Sequence, residues 1–418
     1  MINKSYVCAL DIGSSKIACA LALIKRNHIE NIYFDSIPSR GVKAGVIIDA
    51  VELVSMLSKV IKNLELQSGI KVKFIHTNFS GKDISTKHSH AIIPLAERGN
   101  KVITSFDIQK ANEQARILGS NMEEEIIHTI PSSYAIDSKS NVINPVNLYS
   151  HRLEVDLYLV CARIASLQSL SRAVNQSGHE IRNLSFSGLA TSKAVMSKEY
   201  KTGVTVVCDI GSDVTEIILF KDGLLRDIQI LPVGGNMVTA SLSEALKINA
   251  ELAEDIKRTC GIVNDSENIS ENKEILIKKD QTYRPIKQKE ASQVICSSVK
   301  LIVNAIKEAV EKKMPLYEIN NFVVVGKTLL IDGFIESLEQ TLELPVKMGH
   351  IENPEIVALA KENNQLCGQK YLTYITCLGM ICEELETKSI GTLPLEKPIK
   401  NLFFKAVNRF KEVYQEYF

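Results

Sequence analysis

Apolar residues in this chain fall into short runs separated by small polar turns, and two stretches far apart in sequence share one pattern. In the first, the apolar run 6–10 leads into Asp11-Ile-Gly13-Ser14 and then a second apolar run, 17–24. In the second, an apolar run from 204 leads into Asp209-Ile-Gly211-Ser212 and then a β-branched run, 215–220. Each stretch predicts a buried strand, a tight turn and another strand, and the repetition predicts two similar domains.

The second stretch continues through Asp222-Gly223 into a third apolar run that ends at Gly234-Gly235. Asp-Gly between alternating apolar runs favours a type I′ hairpin turn, because that turn needs positive φ at both central residues. This stretch is therefore predicted to form a three-stranded meander.

The two Asp-Ile-Gly-Ser turns carry the residue types of a phosphate site. A small turn directly after a buried strand leaves backbone N–H groups free to face an anion. A carboxylate at the strand end, Asp11 in one copy and Asp209 in the other, is placed to hold Mg²⁺. Two copies in matching strand context are far more specific than one, so we expect two phosphate-binding loops.

The rest of the chain alternates helical and strand patterns. Residues 49–68 carry apolar positions at helical spacing and 70–79 return to strand character, so the first domain is predicted to be α/β. From about residue 85 the pattern becomes that of a small α+β insertion, with strands at 90–95, 126–134 and 152–162 and helices at 105–118 and 166–178. Later helices are predicted at 241–246, 250–259 and 291–310, around a polar segment, 264–284.

Length, charge and cysteine usage narrow the class of protein. A chain of 418 residues is too long for one ordinary core, and 45 % hydrophobic residues suit a folded soluble protein. Equal numbers of acidic and basic residues, 49 of each, argue against a nucleic-acid binder driven by bulk charge. The cysteines are scattered without a Cys-x-x-Cys pair, which predicts reduced cytoplasmic thiols. We find no signal peptide and no membrane-spanning apolar run, so any membrane attachment is expected to be peripheral.

Several of these motifs, in this order, resemble those of the bacterial cell-division protein FtsA, a family in the actin and heat-shock-70 superfamily. The resemblance runs nearly end to end and implies an α/β, actin-like (ribonuclease H-like) fold, duplicated into two lobes, with an FtsA-type α+β (SHS2) insertion in the first half. The matching positions are 11–16, 45–49, Pro131, Tyr134, Asp137, 144–145, 152–155, 188–190, 209–211, 234–235 and 253–257.

The resemblance also implies the domain boundaries. The first lobe is expected to cover 1–84 and 164–200, with the insertion at 85–163. The second lobe is expected at 201–245 and 316–385, with a smaller subdomain at 246–315. A linker at 386–400 and an amphipathic membrane-targeting helix at 401–418 complete the expected order.

A site for ATP and Mg²⁺ follows from the resemblance, with the two loops on the phosphates and Asp11 and Asp209 holding hydrated metal. Gly234 and Gly235 are expected to allow close backbone approach at a helix N-terminus. Glu254 and Lys257 match the family's ribose- and base-contacting pair, whereas the residues alone favour an ordinary i, i+3 surface ion pair. The residues implied for cofactor binding are Asp11, Gly13, Ser14, Ser15, Lys16, Asp209, Gly211, Ser212, Gly234, Gly235, Glu254, Lys257, Gly326 and Lys327.

Two loops depart from the family pattern. Where relatives have Gly-Gly-Thr, this chain has Ser212-Asp213-Val214, and an Asp near a triphosphate repels it unless the Asp is paired. Where relatives have successive glycines in the adenine loop, this chain has Gly326-Lys327-Thr328, whose side chains either block close approach or, for Lys327, lie along the phosphates. We therefore expect a scaffold with weak or absent ATP hydrolysis rather than an enzyme.

Relatives use the smaller subdomain to capture the acidic and apolar C-terminal peptide of the tubulin-like protein FtsZ. Basic residues suit such a ligand by charge, and those implied here are Lys279, Arg284, Lys287 and Lys300. A solvated charged face explains any single one of them equally well.

Residues 401–418 have the pattern of a helix that lies in a membrane surface. Apolar residues share one helical face with basic residues beside it, and those predicted to enter anionic lipid are Leu402, Phe403, Val407, Phe410, Val413 and Tyr414. The same spacing also fits a core or coiled-coil helix. Terminal position, the preceding linker and the resemblance favour the membrane.

With the resemblance, the sequence predicts a scaffold that polymerises head to tail and tethers FtsZ filaments to the cytoplasmic side of the bacterial inner membrane at the septum. It is also expected to recruit later division proteins and to bind no nucleic acid. A PilM-like pilus-assembly scaffold shares the insertion and remains an alternative. A small-molecule kinase shares the duplicated loops, but nothing in the sequence marks its catalytic base.

Overall fold

The computed structural model describes residues 5–389, except 27, 97, 98, 138, 261, 262, 264–273, 280, 281, 361 and 362. The predicted membrane helix at 401–418, with its six lipid-facing residues, and most of the predicted linker lie outside the described residues.

The described residues form twenty β-strands and ten α-helices. The strands are β1 (Ser5–Ile12), β2 (Lys16–Lys25), β3 (His28–Pro38), β4 (Val42–Lys43), β5 (Val46–Ile47), β6 (Phe74–Phe79), β7 (Ile84–Pro94), β8 (Lys101–Val102), β9 (Glu124–Ile136), β10 (Lys139–Val142), β11 (Tyr149–Ser150), β12 (Arg152–Arg163), β13 (Glu180–Phe186), β14 (Val204–Ile210), β15 (Thr215–Lys221), β16 (Leu224–Leu231), β17 (Glu274–Lys279), β18 (Thr282–Lys287), β19 (Asn321–Val325) and β20 (Val346–Met348). The helices are α1 (Ala50–Ser68), α2 (Ser105–Leu118), α3 (Ile164–Gln176), α4 (Ser187–Val195), α5 (Gly235–Leu246), α6 (Ala250–Cys260), α7 (Gln288–Glu311), α8 (Phe334–Leu342), α9 (Pro354–Ala360) and α10 (Ile375–Ser389).

These elements form two compact units, and each unit has its own central five-stranded sheet of the same topology. The first unit contains the described residues up to 194, 353–367 and 374–389, and the second contains 195–352 and 368–373. The strand order is β3-β2-β1-β6-β13 in the first and β16-β15-β14-β19-β20 in the second. In both, three strands form an antiparallel meander and two further strands add in parallel. The predicted duplication is confirmed.

The crossover from β3 to the parallel strand β6 is helix α1. The Asp49 side chain caps it by accepting from the Glu52 N–H, and Gly69 ends it in the left-handed region at φ 70°. Its buried residues are Leu53, Leu57, Val60, Ile61 and Leu64. This apolar stripe packs against the sheet, so the helical prediction for 49–68 holds to within one residue.

The predicted α+β insertion folds as a four-stranded antiparallel sheet, β10-β9-β12-β7, with α2 packed on it. Its core includes Ile103, Ala111, Ala115, Leu153 and Leu157. Helix α2 begins with a capping box between Thr104 and Asp107. Strand β7 starts six residues earlier than the sequence predicted, because polar residues at 85–88 pair with β12 in spite of their partial exposure.

The second unit begins with the predicted meander, β14-β15-β16. Asp222 and Gly223 connect β15 to β16 with φ of 53° and 74°, as a type I′ turn requires. Helix α7 buries one face against α5, α6 and α8. The segment predicted only as polar contains a two-stranded hairpin, β17-β18.

Two further features of the described residues bear on the sequence predictions. Eight cysteines among them are free thiols, namely Cys8, Cys19, Cys161, Cys208, Cys296, Cys367, Cys377 and Cys382. None of their helices combines the length and apolar character needed to cross a membrane.

Candidate functional site

The two Asp-Ile-Gly-Ser turns adopt the same local structure, one in each unit. In the first, the Gly13 N–H donates to the Lys16 carbonyl at 3.0 Å; in the second, the Gly211 N–H donates to the Val214 carbonyl at 3.0 Å. Each turn connects the central strand of its sheet to the next strand of the meander. The turn geometry therefore repeats along with the strand order, and it presents equivalent loops at equivalent places in both units.

The carboxylate of Asp11 is held at the end of β1 by two side chains. Its residue is only 6 % exposed, Lys16 Nζ lies 3.0 Å from Oδ2, and Asn78 Nδ2 donates to Oδ1 at 2.7 Å. The lysine compensates the partly buried negative charge, and the amide fixes the plane of the carboxylate. The first loop thus combines an anchored carboxylate with a cation, as phosphate and hydrated Mg²⁺ require.

Asp213, the anionic departure in the second loop, has a partner. Asn236 Nδ2 donates to Asp213 Oδ1 at 2.7 Å. The Asn236 N–H also donates to the Ser212 carbonyl at 2.7 Å, so one asparagine bonds to the loop twice. These bonds orient the Asp213 carboxylate, but a neutral amide does not cancel its charge, so the repulsion of a triphosphate by Asp213 stays a prediction.

The start of helix α5 packs directly on the second loop. Gly234 precedes the helix, and the Gly235 N–H donates to the Gly211 carbonyl at 3.0 Å. A Cβ on Gly234 would lie 2.6 Å from the carbonyl oxygens of both Gly211 and Ser212. A glycine is therefore needed at position 234 for the loop to reach the helix, which is a structural reason for Gly234 in addition to the predicted close approach to nucleotide.

Glu254 and Lys257, one turn apart on α6, form the ion pair that the residues alone predicted, but with a buried ammonium. Lys257 is 8 % exposed, and its Nζ donates to Glu254 Oε2 at 2.5 Å, Thr239 Oγ1 at 3.0 Å and the Gly235 carbonyl at 3.1 Å. The pair connects α6 to the start of α5.

Burial and hydrogen bonding shift the pKa of each member of this pair in opposite directions. Burial lowers the pKa of Lys257, and its bond to Glu254 opposes that shift. Burial alone would raise the pKa of Glu254, but donation from Lys257 and Thr239 outweighs it and the pKa falls. Three oxygen acceptors around one ammonium favour its charged form and so oppose the effect of burial.

The loop after β19 packs against the end of β14 and the start of the second turn. Gly326 has φ of 107°, and a Cβ there would lie 2.3 Å from the Ile210 carbonyl and 3.1 Å from Asp209 Oδ1. Thr328 is buried, and its hydroxyl donates to the Gly211 carbonyl at 2.8 Å. The second unit thus gathers Asp209, the 211–214 turn, the start of α5 and the 326–328 loop, while the Lys327 side chain is exposed.

Each loop, taken by itself, carries residue types that suit a phosphate group and a hydrated Mg²⁺ ion. Each loop offers a carboxylate at a strand end, a tight turn and at least one hydroxyl group, and the first adds Lys16. Among the described residues, no cluster of three or more His, Cys, Asp or Glu side chains could hold a metal by itself. Mg²⁺ characteristically keeps several waters and takes one or two carboxylates together with substrate phosphates.

Three side chains at these loops went unassigned to the site by the sequence analysis. Asn78 bonds directly to Asp11 and Asn236 bonds directly to Asp213. The sequence predicts only an obstructing side chain for Thr328. Asn78 had one signal, since it is a polar residue near the end of the stretch 70–79 that was predicted to have strand character.

The basic residues assigned to peptide binding lie on the hairpin and helix α7. Lys279 lies in β17 and Arg284 in β18, Lys287 directly precedes α7, and Lys300 lies within it. Lys287 and Lys300 are exposed.

Comparison with known proteins agrees with this architecture. Two family models match, "Cell division protein FtsA" over residues 206–364 and "SHS2 domain inserted in FTSA" over residues 81–161. Cell division protein FtsA of Borreliella burgdorferi is 28 % identical over 352 residues, which are 83 % of this chain and 85 % of that protein. Its counterpart in Bacillus subtilis is 24 % identical over 404 residues, which are 96 % of this chain and 89 % of that protein.

Solved structures share the fold at low identity. The PilM-PilN type IV pilus biogenesis complex matches with a TM-score of 0.61 and 15 % identity, covering 91 % of this chain and 98 % of that one. MreB5 of Spiroplasma citri bound to ADP matches with a TM-score of 0.53 and 11 % identity, covering 92 % and 99 %. The duplicated sheet, its repeated loops and the insertion define an actin-like protein of two lobes. The chain belongs to the FtsA family of cell division proteins.

Proposed function

We propose that this chain is a nucleotide-binding scaffold of bacterial division, which polymerises and tethers FtsZ filaments to the cytoplasmic side of the inner membrane. The observation that carries the proposal is the repeated loop, with its bonds from Gly13 to Lys16 and from Gly211 to Val214, in a chain of the FtsA family. Turns of this kind, which aim backbone N–H groups outward at the end of a strand, are suited to binding phosphate.

In this proposal, Lys16 and the turn hydroxyls bind phosphate oxygens, while Asp11 and Asp209 orient the water around the metal. Bound Mg²⁺ supplies positive charge that neutralises the phosphates. Gly326, with its positive φ, keeps the 326–328 loop close to Asp209. Hydrolysis is expected to be weak or absent, so nucleotide would control assembly rather than fuel turnover.

Polymerisation and tethering use other surfaces. The insertion is expected to touch the next copy in a head-to-tail polymer. The exposed Lys287 and Lys300, with Lys279 and Arg284, would meet an acidic FtsZ peptide by charge. Residues 401–418 would enter anionic lipid, and many copies in one polymer would strengthen a weak individual attachment. Later division proteins would join the scaffold at the septum.

A vesicle recruitment assay tests this function. Fluorescent FtsZ filaments should sediment with anionic vesicles only when the full chain is present. The double variant Phe403→Glu/Phe410→Glu should release both proteins from the vesicles. Lys287→Glu/Lys300→Glu should leave the chain on the vesicles and release FtsZ.

The matched control is Lys312→Glu, because Lys312 is also exposed and lies directly after the end of α7. It should retain both FtsZ and vesicle binding. Failure of the wild-type chain to hold FtsZ on vesicles, or an equal loss in Lys312→Glu, would contradict the proposal.

A further inference from the structure

The side chain of Asn78 lies beneath the first phosphate loop and makes three hydrogen bonds. It belongs to β6, the parallel neighbour of β1, and is 3 % exposed. Its Oδ1 accepts from the Ile12 N–H at 2.7 Å. Its Nδ2 donates to Asp11 Oδ1 at 2.7 Å and to Ser187 Oγ at 2.8 Å.

These partners fix the orientation of the amide. The Ile12 N–H is a donor only, so it requires the carbonyl oxygen of Asn78 on its side. The NH₂ group must then face Asp11, and its two hydrogens go to Asp11 and Ser187. No other amino acid of this size offers one acceptor and two donors in one plane.

The hydrogen bonds of Asn78 fix the orientation of the Asp11 carboxylate. Asn78 bonds both to the side chain of Asp11 and to the backbone N–H of the next residue, where the loop begins. Lys16 holds the other carboxylate oxygen at 3.0 Å. A carboxylate with a bonding partner at each oxygen keeps its orientation before any ligand binds, and such preorganisation strengthens binding.

We propose that Asn78 is a positioning residue for the first phosphate loop, which fixes the Asp11 carboxylate for the hydrated Mg²⁺ of Mg·ATP. The assignment rests on the proposed nucleotide binding for its ligand. The positioning of the empty loop does not depend on nucleotide and is tested separately.

The variants are chosen to separate positioning from general stability. Asn78→Leu keeps the size of the side chain and removes all three bonds. Asn78→Ser, which admits water, replaces it if Asn78→Leu does not fold. The matched control is Thr77→Val, because Thr77 is the neighbouring residue on β6, is fully buried and donates to the Leu10 carbonyl of β1 at 3.1 Å rather than to the Asp11 carboxylate.

The first measurement is hydrogen exchange of the full chain without nucleotide, followed by mass spectrometry of peptides covering residues 10–16. Loss of the acceptor for the buried Ile12 N–H should speed exchange there at least tenfold in the Asn78 variants, and Thr77→Val should leave this peptide within threefold of wild type. Unchanged exchange in the Asn78 variants overturns the proposal, whether or not the protein binds nucleotide.

The second measurement is ATP affinity by calorimetry, with Mg²⁺ and with EDTA. A residue that positions the metal-facing carboxylate should change the ratio of the two affinities, whereas a merely structural residue should not. We expect Mg·ATP affinity to fall at least tenfold in the Asn78 variants and the ratio to move towards one, with both unchanged in Thr77→Val. An unaltered ratio overturns the metal role. Absence of binding by the wild-type chain refutes the proposed nucleotide function and with it that role, while the exchange result still decides the positioning.

Discussion

Replacing Lys257 with methionine tests whether the ion pair on α6 is a surface feature or a buried connection. An exposed i, i+3 pair contributes about 0.2–0.5 kcal/mol. Lys257 instead makes three hydrogen bonds at 2.5–3.1 Å while 8 % exposed, and one of them reaches the Gly235 carbonyl at the start of α5. Hydrogen bonds to charged groups contribute about 1.5–3 kcal/mol.

Glu254 keeps its bonds to Thr239 and Arg258 after this replacement, so its carboxylate is not left unpaired. The expected cost is therefore about 2–3 kcal/mol in the free energy of unfolding, below that of a fully buried pair broken on one side.

Urea unfolding of the full chain at pH 7, followed by circular dichroism, measures this cost. Arg258→Met is the control, because Arg258 bonds to the same carboxylate at 2.9 Å but its side chain is 58 % exposed, and it should cost less than about 0.5 kcal/mol. Equal small costs for both variants would refute the reasoning and restore the surface interpretation.

Two further predictions use the same assay. Burial lowers the pKa of His128 to about 4, and its Nε2 accepts from the Phe186 N–H. Between pH 6.5 and 4 the unfolded chain therefore binds a proton that the folded chain does not. The free energy of unfolding should fall as the pH drops through that window. His128→Gln should remove about 2 kcal/mol of the loss between pH 8 and pH 5. An unchanged pH profile in His128→Gln would contradict the assignment of this loss to His128. Gly326→Ala places a Cβ 2.3 Å from the Ile210 carbonyl and should lower the free energy of unfolding by at least about 3 kcal/mol. Gly368→Ala, where φ is also positive but nothing lies within 4 Å, should lower it by about 1 kcal/mol. Similar costs would show that backbone strain, and not the close contact, sets the cost at Gly326.

The sequence was sufficient where the determinants are local. The duplicated sheets followed from apolar runs around two Asp-Ile-Gly-Ser turns, and helix 105–118 was predicted with the bounds that the structure has. The Asp222-Gly223 turn needed only its two residue types.

The sequence was insufficient where a partner comes from a distant part of the chain. Asn78 meets Asp11 across 67 positions, and Thr328 meets Gly211 across 117. No periodicity specifies such pairs, because they depend on which strand ends become neighbours in the sheet. Similarly, spacing predicted the Glu254 and Lys257 pair but not its burial, which Thr239 and Gly235 of another helix create.

ATP binding by calorimetry in the presence of Mg²⁺ tests the central claim most directly, with the wild-type chain and Asp209→Ala compared after both are shown to be folded. The account predicts saturable binding by the wild type and its loss in the variant, because Asp209 stands at the end of β14 where the second loop begins. No binding by the wild type up to millimolar ATP, or equal binding by Asp209→Ala, would contradict the claim that the repeated loops hold a nucleotide.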